Sequence, residues 1–333
     1  MTRKAELNVA VIGVGNMGKH HARVYSELPN VRLAAVVDSN ARIGKAIANK
    51  FKCNYYRNFI QLLKKEKLNA VSIAVPTSLH KKLAIACINE GIAVLIEKPI
   101  ADSVKSAHEI INSGKKHRVP VCVGHIERFN PVIQKLKKYI TSGKFGKIIS
   151  ISSKRVGLFP SQIQDTDVII DLAVHDIDIC NYLLGMKATT VNARAGKALN
   201  SKRFDYADIL LGYNGIDVNI QVNWITPVKV RELALTGTKG YAELNYLTQT
   251  IRIYKSRYRT KFDSYGDYIV NFSKPDTEEL NLAGEEPLKL EIESFIEHLR
   301  NNKKNVVSAP EGLDALTIAL RAIRSAERNQ SKI

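Results

Sequence analysis

The chain has 333 residues, 45 % apolar and 25 % charged, a globular balance that excludes collagen-like, low-complexity and disordered classes. Its length predicts two domains, and no apolar run approaches the ~20 residues of a membrane helix. The 50 Lys and Arg against 32 Asp and Glu give a net charge of +18, which suits nucleic acid, an anionic substrate or cofactor, or simply a lysine-rich solvated surface.

The basic residues are scattered, as in Lys64-Lys65, Lys115-Lys116 and Lys135 to Lys138, and no tract interleaves them with aromatics. The surface reading leads on that ground, and no nucleic-acid partner is expected. MTRKAE runs directly into the first strand and leaves no room for a signal peptide, so a cytoplasmic protein with no membrane partner is expected. Cys53, Cys87, Cys122 and Cys180 form no CxxC pair. They are expected reduced, and no metal site is expected from them.

The first 125 residues alternate short apolar strands with helical spacings. Strands are predicted at Val9 to Ile12, Val31 to Val37, Ala70 to Val75, Ala93 to Ile96 and Pro120 to Gly124. Helices are predicted after Gly18, at Asn40 to Phe51, Phe59 to Lys65, Leu79 to Asn89 and Ser103 to Lys116. Such alternation at short spacing implies a doubly wound parallel sheet. Its ligand belongs at the carboxyl ends of the strands, on the rim that carries Gly13 to Gly18, Asp38, Pro76-Thr77, Glu97-Lys98 and His125.

Gly13-Val14-Gly15-Asn16-Met17-Gly18 follows the first strand and opens a helix. Gly13 permits the turn, Gly15 lets a pyrophosphate approach the backbone, and Gly18 lets the helix pack closely on the sheet. The helix N-terminus offers free N–H groups to phosphate. Asp38, 20 residues past Gly18, is placed to accept hydrogen bonds from ribose hydroxyls. Together these features predict a dinucleotide-binding Rossmann domain. Asp38 favours NAD, since it would repel a 2′-phosphate, while Arg42 lies near enough to keep NADP open.

Past residue 125 the pattern changes. A helix is predicted over Asn130 to Thr141, a strand over Lys147 to Val156 and a helix over Val168 to Leu184. Six extended segments follow between Thr189 and Tyr254, with turn signals at Asn214-Gly215 and Thr238 to Gly240. They predict hairpins in an open, mostly antiparallel sheet, and so an α+β domain spanning 126–333. Ser256 to Pro287 reads as polar and irregular. Helices are expected over Leu288 to Arg300 and Glu311 to Glu327, the last returning toward the first domain.

Three groups are candidates for chemistry. Lys98 stands at a strand end between Glu97 and Pro99, and Pro99 restricts its backbone to extended geometry. It is either a group that stabilises a developing alkoxide or a surface lysine paired with Glu97. Asp171, His175 and Asp178 share a face on an α-helix. They read as an acid–base dyad, a buried structural network or a weak metal trio, and the upstream cofactor domain ranks the dyad first. Arg128, Asn130, Lys154 and Arg155 suit phosphate or sugar hydroxyls, with capping and ordinary exposed charge as equal alternatives. His20-His21 lacks further ligands and reads as surface or packing.

The motifs VIGVGNMGKHHARVY, VVD ending at Asp38, VPTSLH (75–80), EKP (97–99) and DLAVHDIDI (171–179) resemble the glucose–fructose oxidoreductase/inositol dehydrogenase/MocA family of NAD(P)-dependent sugar oxidoreductases along nearly the whole chain. The resemblance implies a Rossmann domain followed by an open-sheet domain used for oligomerisation, as a homodimer or homotetramer. It implies Lys98, Asp171 and His175 as catalytic residues. Gly13, Gly15, Asn16, Met17, Gly18, Asp38, Pro76, Thr77, His80 and Glu97 are expected along the cofactor, and Lys98, Arg128, Asn130, Arg155 and His175 around the substrate. Whether Lys98 or His175 is the principal base stays open. Many members carry a glycine two residues after the aspartate, where this chain has Ala173. GHIERFNP (124–131) with DLAVHDIDI looks most like the branch that oxidises C3 of UDP-N-acetylglucosamine, a nucleotide-sugar substrate. A free-sugar or inositol dehydrogenase is the second enzymatic reading, and an NAD-binding regulator without catalysis is the third.

Overall fold

A computed structural model describes residues 6–159, 166–199, 202–255, 258–262, 265, 268–272, 275–301 and 306–330. Two compact units are present, one of residues 1–129 and 286–317, the other of 130–285 and 318–333.

The first unit is built on six strands: β1 (Leu7–Ile12), β2 (Val31–Val37), β3 (Asn54–Tyr56), β4 (Ala70–Ile73), β5 (Ala93–Glu97) and β6 (Val121–Gly124). They lie in the order β3-β2-β1-β4-β5-β6, and every pairing is parallel. This is the doubly wound order in which the strand sequence reverses beside β1. Five helices connect the strands: α1 (Gly18–Glu27), α2 (Ala41–Phe51), α3 (Phe59–Lys65), α4 (His80–Asn89) and α5 (Val104–His117). Asn40 caps α2 by accepting the Arg42 and Ile43 N–H groups, and Ser103 caps α5 through Ser106 N–H. The parallel sense puts the residues after Ile12, Val37, Ile73, Glu97 and Gly124 on one rim, as expected. β3 escapes sequence reading because it is a three-residue edge strand, too short to show alternation.

The expected second domain, 126–333, is not one continuous stretch, since 286–317 belongs to the first unit. That stretch holds the helix Pro287–Asn301, α8 in chain order. It carries Leu288, Ile292, Phe295 and Ile296 on one stripe, and these share a core with Val9, Val11, Tyr25, Leu28 and Cys122. Burial of that stripe gives the helix its place.

The second unit opens with α6 (Pro131–Thr141), β7 (Ile148–Val156) and α7 (Val174–Leu184). Strands β8 (Thr190–Gly196), β9 (Tyr206–Tyr213), β10 (Ile216–Asn223), β11 (Val230–Gly237), β12 (Gly240–Asn245) and β13 (Thr250–Lys255) follow. The stretch read as irregular contains β14 (Tyr258–Phe262), β15 (Tyr268–Phe272) and β16 (Asp276–Asn281). Then come α8 (Pro287–Asn301) and α9 (Ala309–Gln330). The eight-stranded sheet runs β16-β13-β12-β11-β7-β10-β9-β8, with β14 and β15 paired separately. Among its described pairings only β7–β10 is parallel, with β7 lying between β11 and β10. Asn214 (φ 48°) and Gly215 (φ 84°) join β9 to β10 in the two-residue, positive-φ turn that an Asn-Gly pair favours.

The edge strand β8 is covered by the end of α9. Ser325 Oγ accepts the Ala193 N–H, Asn329 donates to the Ala193 carbonyl and Gln330 to that of Ala195. These bonds satisfy backbone groups that would otherwise template another strand. Among the described residues, no helix is long and apolar enough to cross a membrane.

Candidate active site

The glycine turn behaves as its spacing requires. Gly13 has φ +85°, and a Cβ there would stand 2.6 Å from the Ala74 carbonyl; a Cβ on Gly18 would collide with the Gly13 carbonyl. A Cβ on Gly15 would meet nothing within 4 Å. Two glycines therefore shape the turn, and the third leaves space over an exposed backbone where a pyrophosphate fits. Asn16 is exposed and Met17 half-buried beside it. Asp38 Oδ2 accepts the Val14 N–H at 3.0 Å and Oδ1 the Asn40 N–H at 2.8 Å. The carboxylate thus ties the glycine turn to the end of β2, and each oxygen keeps acceptor capacity for a ribose hydroxyl. Open space at Gly15 and an anchored acid at Asp38 fit an adenine dinucleotide.

Further along the rim, Pro76 is exposed and Thr77 half-buried, at the start of a short 3₁₀ turn, Thr77–Leu79. His80, expected along the cofactor, is 1 % exposed. Its Nδ1 lies 3.0 Å from the Pro99 carbonyl oxygen and its Nε2 2.9 Å from that of Val75. Burial pushes its imidazolium below the ordinary value, against the pull of the Val75 and Pro99 carbonyls. Glu97 is also turned inward, with Oε1 2.9 Å from His21 Nε2. Both side chains are therefore framework behind the rim. Lys98 is half-buried at the β5 terminus.

Arg128 donates to Glu311 Oε1 at 2.6 Å, and its side chain is 7 % exposed. Glu311 Oε2 accepts from Ser308 N and Oγ. Burial raises the Glu311 carboxyl, but Arg128 and Ser308 outweigh it and hold it below its ordinary value.

In the second unit, Asp171 lies in a π-helical turn, Ile169–Ala173, and α7 begins only at Val174. The Val174 N–H reaches back to the Ile169 carbonyl, one residue further than in an α-helix. The α-helical argument for a shared Asp171–His175–Asp178 face therefore does not hold unmodified. Asp171 and His175 are half-buried, whereas Asp178 is 1 % exposed and belongs to the core. Such π turns occur often at functional sites. Asp171 Oδ2 accepts from the indole N–H of Trp224 at 3.3 Å. Trp224 is 2 % exposed, and Phe159 meets it edge-on with ring centroids 5.1 Å apart.

Arg155, expected at the substrate, is 4 % exposed. It forms a two-point pair with Asp176, Nε to Oδ2 at 2.7 Å and Nη2 to Oδ1 at 3.1 Å. Ser153 donates to Asp176 at 2.8 Å. The cluster pins α7 to β7. Strand alternation puts Lys154 on the opposite, exposed face from Arg155, as a period of two requires. Asn130 caps α6 through Val132 N–H and donates to the Tyr246 carbonyl at 3.3 Å. The capping reading, open for Asn130 from the sequence, is the one the bonds show. A hollow of about 480 Å³ lies on the exposed sheet face, lined by Lys154, Glu232, Glu243 and Arg252 among others. Of the residues singled out in the sequence, Lys154 lines it, and the catalytic candidates Lys98, Asp171 and His175 do not. Among the described residues no group of three His, Cys, Asp or Glu could hold a metal ion.

Residues 7–125 match the model of the oxidoreductase family with an NAD-binding Rossmann fold, and 133–243 match the GFO/IDH/MocA C-terminal domain. The chain belongs to the Gfo/Idh/MocA oxidoreductase family. It is 28 % identical over 316 residues to the UDP-N-acetylglucosamine 3-dehydrogenase of Acidithiobacillus ferrooxidans, covering 95 % of this chain and 96 % of that one. It is 26 % identical to an inositol 2-dehydrogenase of Rhizobium meliloti, covering 97 % and 98 %. The solved structure of the A. ferrooxidans enzyme GnnA matches with a TM-score of 0.85 and 27 % identity over 98 % of this chain and 99 % of that one. Family membership makes the first unit an NAD-binding domain and the chain an oxidoreductase.

Sequence reading missed Trp224 and Asp176, whereas His21, read as surface or packing, is a buried partner of Glu97. Trp224 is the only tryptophan, which was a signal, but its partner lies 53 residues away. Asp176 sits inside DLAVHDIDI, and spacing alone could not separate it from its acidic neighbours.

Proposed function

We propose that this protein oxidises a sugar hydroxyl with NAD, and that its substrate is a nucleotide sugar oxidised at C3, UDP-N-acetylglucosamine. The observation that carries the reading is similarity along 95 % of the chain to an enzyme of that name, with Lys98, Asp171 and His175 all present in the matching motifs. NAD, when bound, supplies the acceptor for the hydrogen and electron pair leaving the sugar carbon. Gly13 to Gly18, Asp38, Pro76 and Thr77 hold it. His175 takes the hydroxyl proton at its imidazole. Asp171, steadied by the Trp224 indole, orients that ring. Lys98 donates a hydrogen bond to the same oxygen and stabilises the developing alkoxide. Arg128, Asn130 and Arg155 act as supports through Glu311, the α6 cap and Asp176.

Lys98→Ala and His175→Ala should each lower turnover by about 10²–10⁴-fold, the range of a lost acid–base group, while NAD affinity measured by titration stays within about twofold. Near-normal turnover in both variants would remove the site assignment. Full-length similarity to an inositol 2-dehydrogenase favours a second reading in which the same residues act on a cyclitol or free sugar. We also propose a cytoplasmic homodimer or homotetramer formed through the open face of the second unit's sheet. That face runs Asn245, Glu232, Lys154, Gln221, Asp208 and Arg194 across neighbouring strands, a row of mixed charge suited to pairing with its own copy.

A further inference from the structure

Lys98 is flanked by two residues whose polar atoms are held by buried histidines. On one side, Glu97 Oε1 meets His21 Nε2 at 2.9 Å, and Glu97 Oε2 accepts the Lys98 backbone N–H at 3.2 Å. His21 Nδ1 meets Ser72 Oγ at 3.0 Å, and Ser72 Oγ meets the Tyr25 hydroxyl at 2.8 Å. On the other side, His80 stands between the carbonyls of Pro99 and Val75. His21, Ser72 and Tyr25 are fully buried, His80 is 1 % exposed and Glu97 9 %.

The carboxylate end of this chain has a fixed direction. Burial raises the Glu97 carboxyl, but His21 and Lys98 outweigh it and hold it below its ordinary value. As an anion Glu97 only accepts, so His21 Nε2–H donates to it. His21 Nδ1 in turn meets the Ser72 hydroxyl, which meets that of Tyr25. Tyr25, Ser72, His21 and Glu97 thus form one buried hydrogen-bonded chain, in which neighbouring bonds strengthen one another. Such a buried polar chain is costly compared with apolar packing. Here it ends on the peptide nitrogen of Lys98, while His80 ends on the carbonyl of the following residue.

We propose that His21 and His80 are positioning residues for Lys98, His21 acting through Glu97 and His80 through Pro99. Four elements, α1, β4, α4 and β5, thereby converge on the backbone of one lysine. The proposal rests on the reading of Lys98 as a functional group but is tested separately from it.

The test uses full-length protein with NAD and the variants His21→Gln, His80→Gln and Glu97→Ala. Glu97→Gln serves as the conservative rescue, and Ser72→Ala cuts the same chain one step further away should a histidine variant fail to fold. The first readout is acylation of the Lys98 amine by acetic anhydride, resolved by mass spectrometry and normalised to exposed Lys19. The expected result is a change of about threefold or more at Lys98 alone, with Glu97→Gln restoring most of the Glu97→Ala change. The second readout is turnover of UDP-N-acetylglucosamine. A fall in kcat of about 10–100-fold with little change in KM for NAD is expected, and no further fall in a Lys98→Ala background. Unchanged Lys98 acylation across the variants overturns the positioning proposal, whatever the turnover. Normal turnover by Lys98→Ala overturns the functional reading, and the acylation result still decides the positioning.

Discussion

At the scale of single residues, the three glycines of the turn separate folding from binding. Gly15 has open space where a Cβ would go, whereas Gly13 and Gly18 do not. Gly15→Val should therefore fold with an unchanged melting temperature yet bind NAD at least about tenfold more weakly in a fluorescence titration. Gly18→Ala should lose stability, since its Cβ would strike the Gly13 carbonyl. Loss of NAD affinity in neither variant would move the cofactor elsewhere. Asp38 holds the Val14 and Asn40 N–H groups, so Asp38→Ala should loosen the turn and shift the ratio of NAD to NADP use toward NADP by about tenfold or more, read from paired kcat/KM values. The geometry of this turn was legible in the sequence because most of it is set within one strand–turn–helix unit, although Gly13 also packs against Ala74. The Trp224–Asp171 bond and the His21–Glu97 contact join residues 53 and 76 positions apart, and nothing in local spacing encodes such pairings.

At the scale of elements, α7 depends on a charge pair hidden from periodicity. Asp176 is fully buried against Arg155 and Ser153. Asp176→Ala leaves the guanidinium buried without its carboxylate and should cost about 3–5 kcal/mol in urea unfolding. A loss below about 1 kcal/mol would show that the pair is not what holds α7 to β7. Strand positions were readable because alternation marks them, from Ile151, Ser153 and Arg155 facing inward to Ser152 and Lys154 facing out. The central place of β7 was not, since its parallel pairing with β10 joins segments about 70 residues apart. The π turn was also unreadable. Its sequence, IIDLA, has ordinary helical character, and the extra residue shows only in the backbone bonds. β16, with its run of Asp276, Glu278 and Glu279, reads as loop by composition, yet it pairs along the whole of β13. An edge strand can be that polar because one side needs no partner.

For the molecule as a whole, the buried ionisable groups set a pH dependence of stability. Burial holds His80 below its ordinary 6.5, so between those two values the unfolded chain binds a proton that the folded protein does not. Its stabilisation is complete above about pH 6.5 and declines as pH falls toward the folded value. Burial raises the Glu97 and Glu311 carboxyls, but their partners hold both below 4.5, so their contribution is present above that value and is lost as pH falls through the folded ones. Burial raises Asp167 above 3.8, which acts in the opposite sense and favours folding at acid pH. Melting temperatures should therefore fall on acidification in two stages, and His80→Gln should flatten the upper one. A profile level from about pH 7 to pH 4 would contradict this account. The fold was legible at this scale in its class and order of layers, but α8 shows the limit. Its amphipathic stripe predicted a helix, and only the shared core with Tyr25 and Leu28 shows which unit it completes. The substrate is decided by following NADH absorbance with NAD against UDP-N-acetylglucosamine, myo-inositol and glucose in parallel. NADH formation with UDP-N-acetylglucosamine, abolished in Lys98→Ala, is the predicted result. Turnover of myo-inositol or glucose with none of the nucleotide sugar would contradict it.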